Sequence, residues 1–307
     1  AIGELQSLGV DNLQVYRDQA AKTDSKLAYT TADSFIRAAY DVRSGMSGLS
    51  DEGVAGITDY ALTTARATKS SAEQMTSLTA SAYGIFKSQY QEMSDLEWGE
   101  TFTSGLAASV KAFKTNGSAM QQAIEGVGKN AAGLGMDMTE QFAVLGTLQT
   151  SMSAGEAGTA LASYARSAAK AHNYFKDNNI DVQILDGEGQ LRDTMDVMAD
   201  IRKAYGEKIG GFEAAEIQKA FGPAEAVKVI SGLIDNQDTY NTGFKEIAEG
   251  MKQGRKFTDA MAARMDDNGD AQLQNALENW TAMKIELGYA LLPLFLSMIG
   301  PMKKATA

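Results

Sequence analysis

The first 222 residues of this 307-residue chain contain no proline, and Pro223, Pro293 and Pro301 all fall in the last third. Proline removes a backbone donor and clashes with the preceding helical turn, so its absence permits long helices through most of the chain. Thirty glycines pull the other way, because each costs about 1 kcal/mol relative to alanine inside a helix. The expectation is many helices punctuated by glycine turns, not one continuous rod.

Helix starts are written into the sequence as capping boxes, in which a Ser or Asp side chain accepts from an amide three residues on while Glu reaches back. Ser70/Glu73, Ser94/Glu97, Asp137/Glu140 and Ser153/Glu156 fit that pattern. After the first, Met75, Leu78, Ala82, Ile85 and Phe86 define one helical face; after the second, Phe102, Leu106, Val110 and Phe113 do the same. Lys114 to Ser118 and Ala132 to Gly135 read as helix ends, since glycine accepts the left-handed residue that follows a helix. From about Thr101 to Ala171 the chain is rich in Ala, Gly, Ser and Thr and poor in charge. Small residues let helices approach closely, either within one packed α domain or between copies of the chain.

Between Ser153 and Ile201 the period changes twice. Ala157, Leu161, Tyr164, Ala168, Ala171 and Phe175 recur at helical spacing; Ile180, Val182 and Ile184 then alternate with Asp181 and Gln183 as in a strand. Asp186-Gly187-Glu188-Gly189 supplies a turn, and from Leu191 the helical spacing returns through Met195, Met198 and Ile201. The fold class expected is mainly α: a multi-helix assembly of helical hairpins with one small β-hairpin near 180–191.

That order of elements resembles the core region of phage tail tape measure proteins of the TP901 type. The resemblance rests on Ala154-Gly155-Glu156-Ala157-Gly158-Thr159-Ala160-Leu161, on Asn179-Ile180-Asp181-Val182 with Asp186 to Arg192, on Ala220 to Ala226, and on Gly288 to Leu296 with Leu292-Pro293-Leu294 inside it. It spans about Ser34 to Met302. It implies a structural protein of the virion that occupies the tail tube lumen, determines tail length during assembly, and is ejected at infection to assist DNA passage through the host envelope. The partners implied are the tail tube protein, tail-tip or baseplate hub proteins and tail assembly chaperones, with self-association and host membrane contact. The long coiled-coil portion of a complete ruler is absent, so length determination is expected outside these residues. The alternative is a helical envelope-binding or membrane-inserting effector module.

The residues that would carry chemistry are few. His172 is the lone histidine and there is no cysteine, so two-His metal motifs, thiolate sites and most Ser-His arrangements lack their members. We read His172 as a surface or boundary residue. Gly126-Val127-Gly128-Lys129-Asn130 has a superficial likeness to a phosphate loop, but Ala123 stands where the first glycine is needed and Asn130 where Ser or Thr would hold magnesium. Asp266, Asn268 and Asp270 start like a calcium loop, then place Ala271 and Leu277 where Gly and Glu are required; Asp177, Asn179 and Asp181 fail at Val182. No cofactor, metal site or enzymatic activity is expected. A net charge of −11 makes a nucleic-acid backbone a poor partner.

Near the C-terminus, Leu273, Leu277, Trp280, Met283 and Leu287 step along one helical face, and Leu287 to Met302 carries no charge before Lys303 and Lys304. As a helix that uncharged run spans roughly 24 Å against a hydrocarbon thickness of about 30 Å. Core helix, partner-binding segment and membrane-active segment all fit. Trp280, Tyr289, Leu291, Leu292, Leu294, Phe295 and Leu296 are the candidate membrane or partner contacts. The chain starts at Ala1 with no cationic, apolar leader, which suggests a fragment of a longer protein. The division expected is a helical extension over 1–33, an Ala/Gly-rich helical region with the β element over 34–206, a helical region over 207–286, and an apolar segment over 287–307 continuing past the fragment. The glycine-flanked loop from Gly206 to Gly211 marks the central boundary.

Overall fold

The computed structural model of the protein describes residues 2–46 and 48–267, and the features below refer to these. In chain order the helices are α1 (Ile2–Ser7), α2 (Leu13–Lys26), α3 (Ala32–Gly45), α4 (Asp51–Thr68), α5 (Ala72–Phe86), α6 (Asp95–Phe113), α7 (Gly117–Val127) and α8 (Met138–Leu148). They continue with α9 (Ala154–Asp177), α10 (Thr194–Tyr205), α11 (Gly211–Phe221), α12 (Ala224–Asp235), α13 (Gln237–Gln253) and α14 (Arg255–Asp266).

Side chains fix most of the starts. Ser94 with Glu97 and Ser153 with Glu156 form complete capping boxes at α6 and α9. At α5 the box is one residue later than the sequence suggested: Ser71 accepts from the Gln74 amide and Gln74 reaches back, a role glutamine fills as well as glutamate. At α8, Asp137 caps the Glu140 amide, but the Glu140 side chain turns away to another helix. Two helices end on a left-handed lysine, Lys69 after α4 and Lys114 after α6, in the place where glycine is common.

The middle of α4 is buried on nearly every face, with α2, α3, α5, α6 and α14 around it. Its buried Thr58, Thr63, Thr64 and Thr68 each donate their hydroxyl to the carbonyl four residues back, so a threonine-rich helix enters the core without orphaned donors. Farther along, α6 and α8 cradle α13, while α9 is covered by α7, α11 and α12. A single apolar core runs from Leu5 to Ala262 through all of these layers. At its centre Trp98 stacks on Phe102 at 5.3 Å, and Phe142 meets both Phe102 and Phe86 edge-on. Each such pair is worth about 1 kcal/mol beyond the area it buries.

The small residues of the middle region make this packing close. Gly126 on α7 faces Gly158 on α9, where an added methyl at 126 would sit 3.2 Å from the Gly158 Cα, and one at 158 would collide with the Ala123 carbonyl oxygen.

The β-hairpin near 180–191 does not form. Among the described residues the β structure is one isolated antiparallel bridge, Leu185 with Leu191. The alternating run is extended and buries Val182 and Ile184, as a strand would, but its amides go elsewhere. Gln183 N–H donates to Asp200, Leu185 N–H to the His172 Nδ1, and across the turn Leu191 N–H donates to the Leu134 carbonyl. With those groups committed to three different elements, no ladder can extend beyond one pair.

Candidate functional site

The predicted contacts Trp280, Tyr289, Leu291, Leu292, Leu294, Phe295 and Leu296 lie outside the described residues, as does the whole helical face from Leu273 to Leu287. Asp266, the start of the rejected calcium loop, is the last residue of α14; it pairs with Arg66 and accepts from the Ala28 amide at 3.2 Å. No helix of the described residues is long and apolar enough to cross a membrane.

The excursion between α9 and α10 is the most built irregular segment. Asn178 closes α9, Asn179 takes a left-handed conformation, and the Ile180 amide returns to the Phe175 carbonyl at 2.9 Å, which turns the chain sharply. At the tip Asp186 accepts the Glu188 and Gln190 amides at 2.9 and 2.8 Å. A surface groove of about 400 Å³ lies along this segment, bordered by His172, Lys176, Ile180, Asp181 and Asp186.

His172, Asp181 and Asp186 of the groove are already engaged. His172 is half-buried, and its Nδ1 accepts from Leu185 N–H at 3.3 Å, which requires the tautomer with the proton on Nε2. Asp181 is held by Lys203 at 2.6 Å, which keeps its carboxyl below the usual range. None of the bordering residues carries a hydroxyl or thiol nucleophile. Among the described residues, no three His, Cys, Asp or Glu side chains gather where a metal ion could be held.

Three carboxylates, the buried Asp51 and Asp59 and the half-buried Glu140, carry more of the architecture than the residues bordering the groove. Asp51 accepts from the Asp11 and Asn12 amides at 3.0 and 2.7 Å and from the Tyr16 hydroxyl at 3.0 Å, tying the start of α2 to the start of α4. Burial, then this hydrogen bond, pushes the Tyr16 hydroxyl well above its ordinary range. Asp59, 1% exposed, accepts from Thr23 at 2.6 Å and pairs with Arg255 at 2.5 Å. Glu140 accepts the Thr194 amide at 2.7 Å. A signal was present for two of them: Asp59 lies on the buried stripe of Ala55 and Leu62, and Glu140 occupies the third position of a capping box.

A family model for phage-related minor tail proteins matches residues 17–222. That is about two thirds of the chain. The chain belongs to this family. A structural place in the phage tail follows from that membership. No curated protein and no solved structure matches the chain. The minor tail protein match begins inside α2 and closes at Gly222, between α11 and α12, so it takes in the aromatic centre, the α7–α9 crossing and the whole excursion. Helices α12 to α14 follow the match yet pack onto it, α13 against α6 and α8 and α14 against α4.

Proposed function

We propose that this minor tail protein is the folded core portion of a tail tape measure protein. In this reading it occupies the lumen of the tail tube, takes part in setting tail length during assembly, and is ejected ahead of the genome to assist passage through the host envelope. The observation that carries it is the family match across α3 to α11, which contains two of the four segments on which the tape measure resemblance rests and the start of a third. Its contacts are the tail tube protein, the tail-tip or baseplate hub proteins, the assembly chaperones and other copies of itself. Its action is mechanical and needs no catalytic group. The uncharged run from Leu287 to Met302 supplies the contact with the host membrane, since such a segment gains free energy on leaving water.

A ruler and a folded core respond differently to deletion. Extended helix measures about 1.5 Å per residue, so residues removed from a rod shorten the tail in proportion. Here the helices fold back on one another, so deletions inside 34–302, above all across Asn179 to Arg192 or Leu287 to Met302, are expected to block assembly or DNA delivery without a proportional change in length. Electron microscopy of tails from such mutants measures this, and mass spectrometry of intact and emptied particles asks whether the chain leaves with the genome. Tails that shorten in step with internal deletions, or a chain retained after ejection, would overturn the reading.

A further inference from the structure

Glu140 breaks the capping rule that its neighbours obey. In the boxes at Ser94 and Ser153, the glutamate three residues on returns to its own helix start. Asp137 does cap the Glu140 amide, at 2.8 Å, but the Glu140 carboxylate leaves α8 and accepts from Thr194 N–H, the first residue of α10. The next two amides of α10, Met195 and Asp196, are taken by Asp193 at 2.8 and 3.2 Å. The start of α10 is therefore held by two carboxylates, one of them borrowed from another helix.

The surroundings of that borrowed carboxylate are unfavourable to its charge. From its own helix it faces Asp137, from the start of α10 Asp193, from α9 the buried Tyr164, and from α13 Tyr240. The Tyr240 hydroxyl is buried without a hydrogen-bond partner among the described residues. The nearby cation, Arg192, is committed to Asp200 at 2.5 Å and to the Gln183 carbonyl at 2.8 Å. A charge partly withdrawn from water, with two acids nearby and no cation paired to it among the described residues, is a poor tenant, whereas a neutral carboxyl can keep accepting from Thr194 and offer a proton as well.

We propose that Glu140 is a proton-operated latch between α8 and α10: the neutral carboxyl holds the start of α10 to α8, and ionisation weakens that docking. The inference does not depend on the tape measure reading. Burial pushes the Glu140 carboxyl up to about 7 from the ordinary 4.5, against the hydrogen bonding from Thr194 that lowers it. Because the docked state has the higher pKa, docking takes up a proton; its stability is fully present below the ordinary value and is lost as pH rises through about 7. A shift of that size corresponds to a fall of about a hundredfold in the docking constant between acidic and alkaline conditions.

The test compares the full chain with its Glu140→Gln variant, a neutral isostere that keeps the acceptor. Hydrogen exchange at the Thr194, Met195 and Asp196 amides, corrected for the intrinsic pH dependence and referenced to α4, is measured from about pH 5 to about pH 9. The wild type is expected to lose tenfold or more of its protection across that range, roughly as the linkage demands, and the glutamine variant to stay level. Parallel profiles for the two proteins would overturn the latch. Should the variant not fold, the Glu140 carboxyl is titrated directly in the wild type by isotope-edited infrared spectroscopy; a midpoint in the ordinary carboxylate range overturns the proposal, and one near neutrality sustains it.

Discussion

The crossing of α7 over α9 and the seat of α14 on α4 hold helices together by opposite means. At the crossing, Gly126 and Gly158 remove side chains so that backbone meets backbone, and no charge is involved. Helix α14 buries only Thr258 and Ala262 of its own residues and is held instead by ion pairs, Arg255 to Asp59, Asp266 to Arg66 and Lys26 to Asp259. The first arrangement tolerates any salt or pH but no added atom. The second tolerates changes of size at its edges but depends on charge. The contrast teaches where this tail protein is rigid by shape and where it is adjustable by solution conditions.

The sharpest way to break that contrast is Gly158→Val. The new side chain would collide with the Ala123 carbonyl, a backbone atom that cannot swing aside, and a loss of about 3 kcal/mol or outright misfolding is expected. Denaturant unfolding reads it, and a variant of native stability would mean that the crossing is looser than its geometry. Asp59→Ala is next, at about 2 kcal/mol, because Thr23 and Arg255 lose a buried partner while Arg255 keeps access to water. That loss should appear as early hydrogen exchange in α14; uniform exchange across the chain would show that the clasp is not local.

Smaller effects sharpen the picture. Ser153→Ala removes the cap of α9 and should cost about 1 kcal/mol in the thermal midpoint analysis, with no dependence on salt. The exposed Lys26–Asp259 pair at 2.5 Å is worth about 0.5 kcal/mol, so molar salt should speed exchange slightly in α14 and leave α7 and α9 untouched. Equal slowing or quickening in both regions would erase the distinction between them.

The sequence exposed the glycine-packed half far better than the clamped half. Capping signals and small-residue periodicity are local, so α6 and α9 start where Ser94 and Ser153 place them. The Ser70/Glu73 reading misplaced the α5 cap by one residue, because Ser71/Gln74 satisfies the same chemistry in the adjacent register. Ile180 to Leu185 alternates as a strand does, yet its Gln183 and Leu185 amides go to Asp200 and His172, partners that no local pattern announces. The clamps are further from view still: Thr23 meets Asp59 across 36 positions, and the Ala28 amide meets Asp266 across 238. Such pairings become readable only once the helices have been stacked.

Phe113, at the end of α6, lies against two glycines on two other helices, Gly146 of α8 and Gly243 of α13. An aromatic ring turns over only when its surroundings widen for an instant, so the flipping rate of this ring counts how often α8 and α13 draw apart. A single side chain thereby becomes a clock for the breathing of the interface that joins the family-matched helices to the segment that follows them.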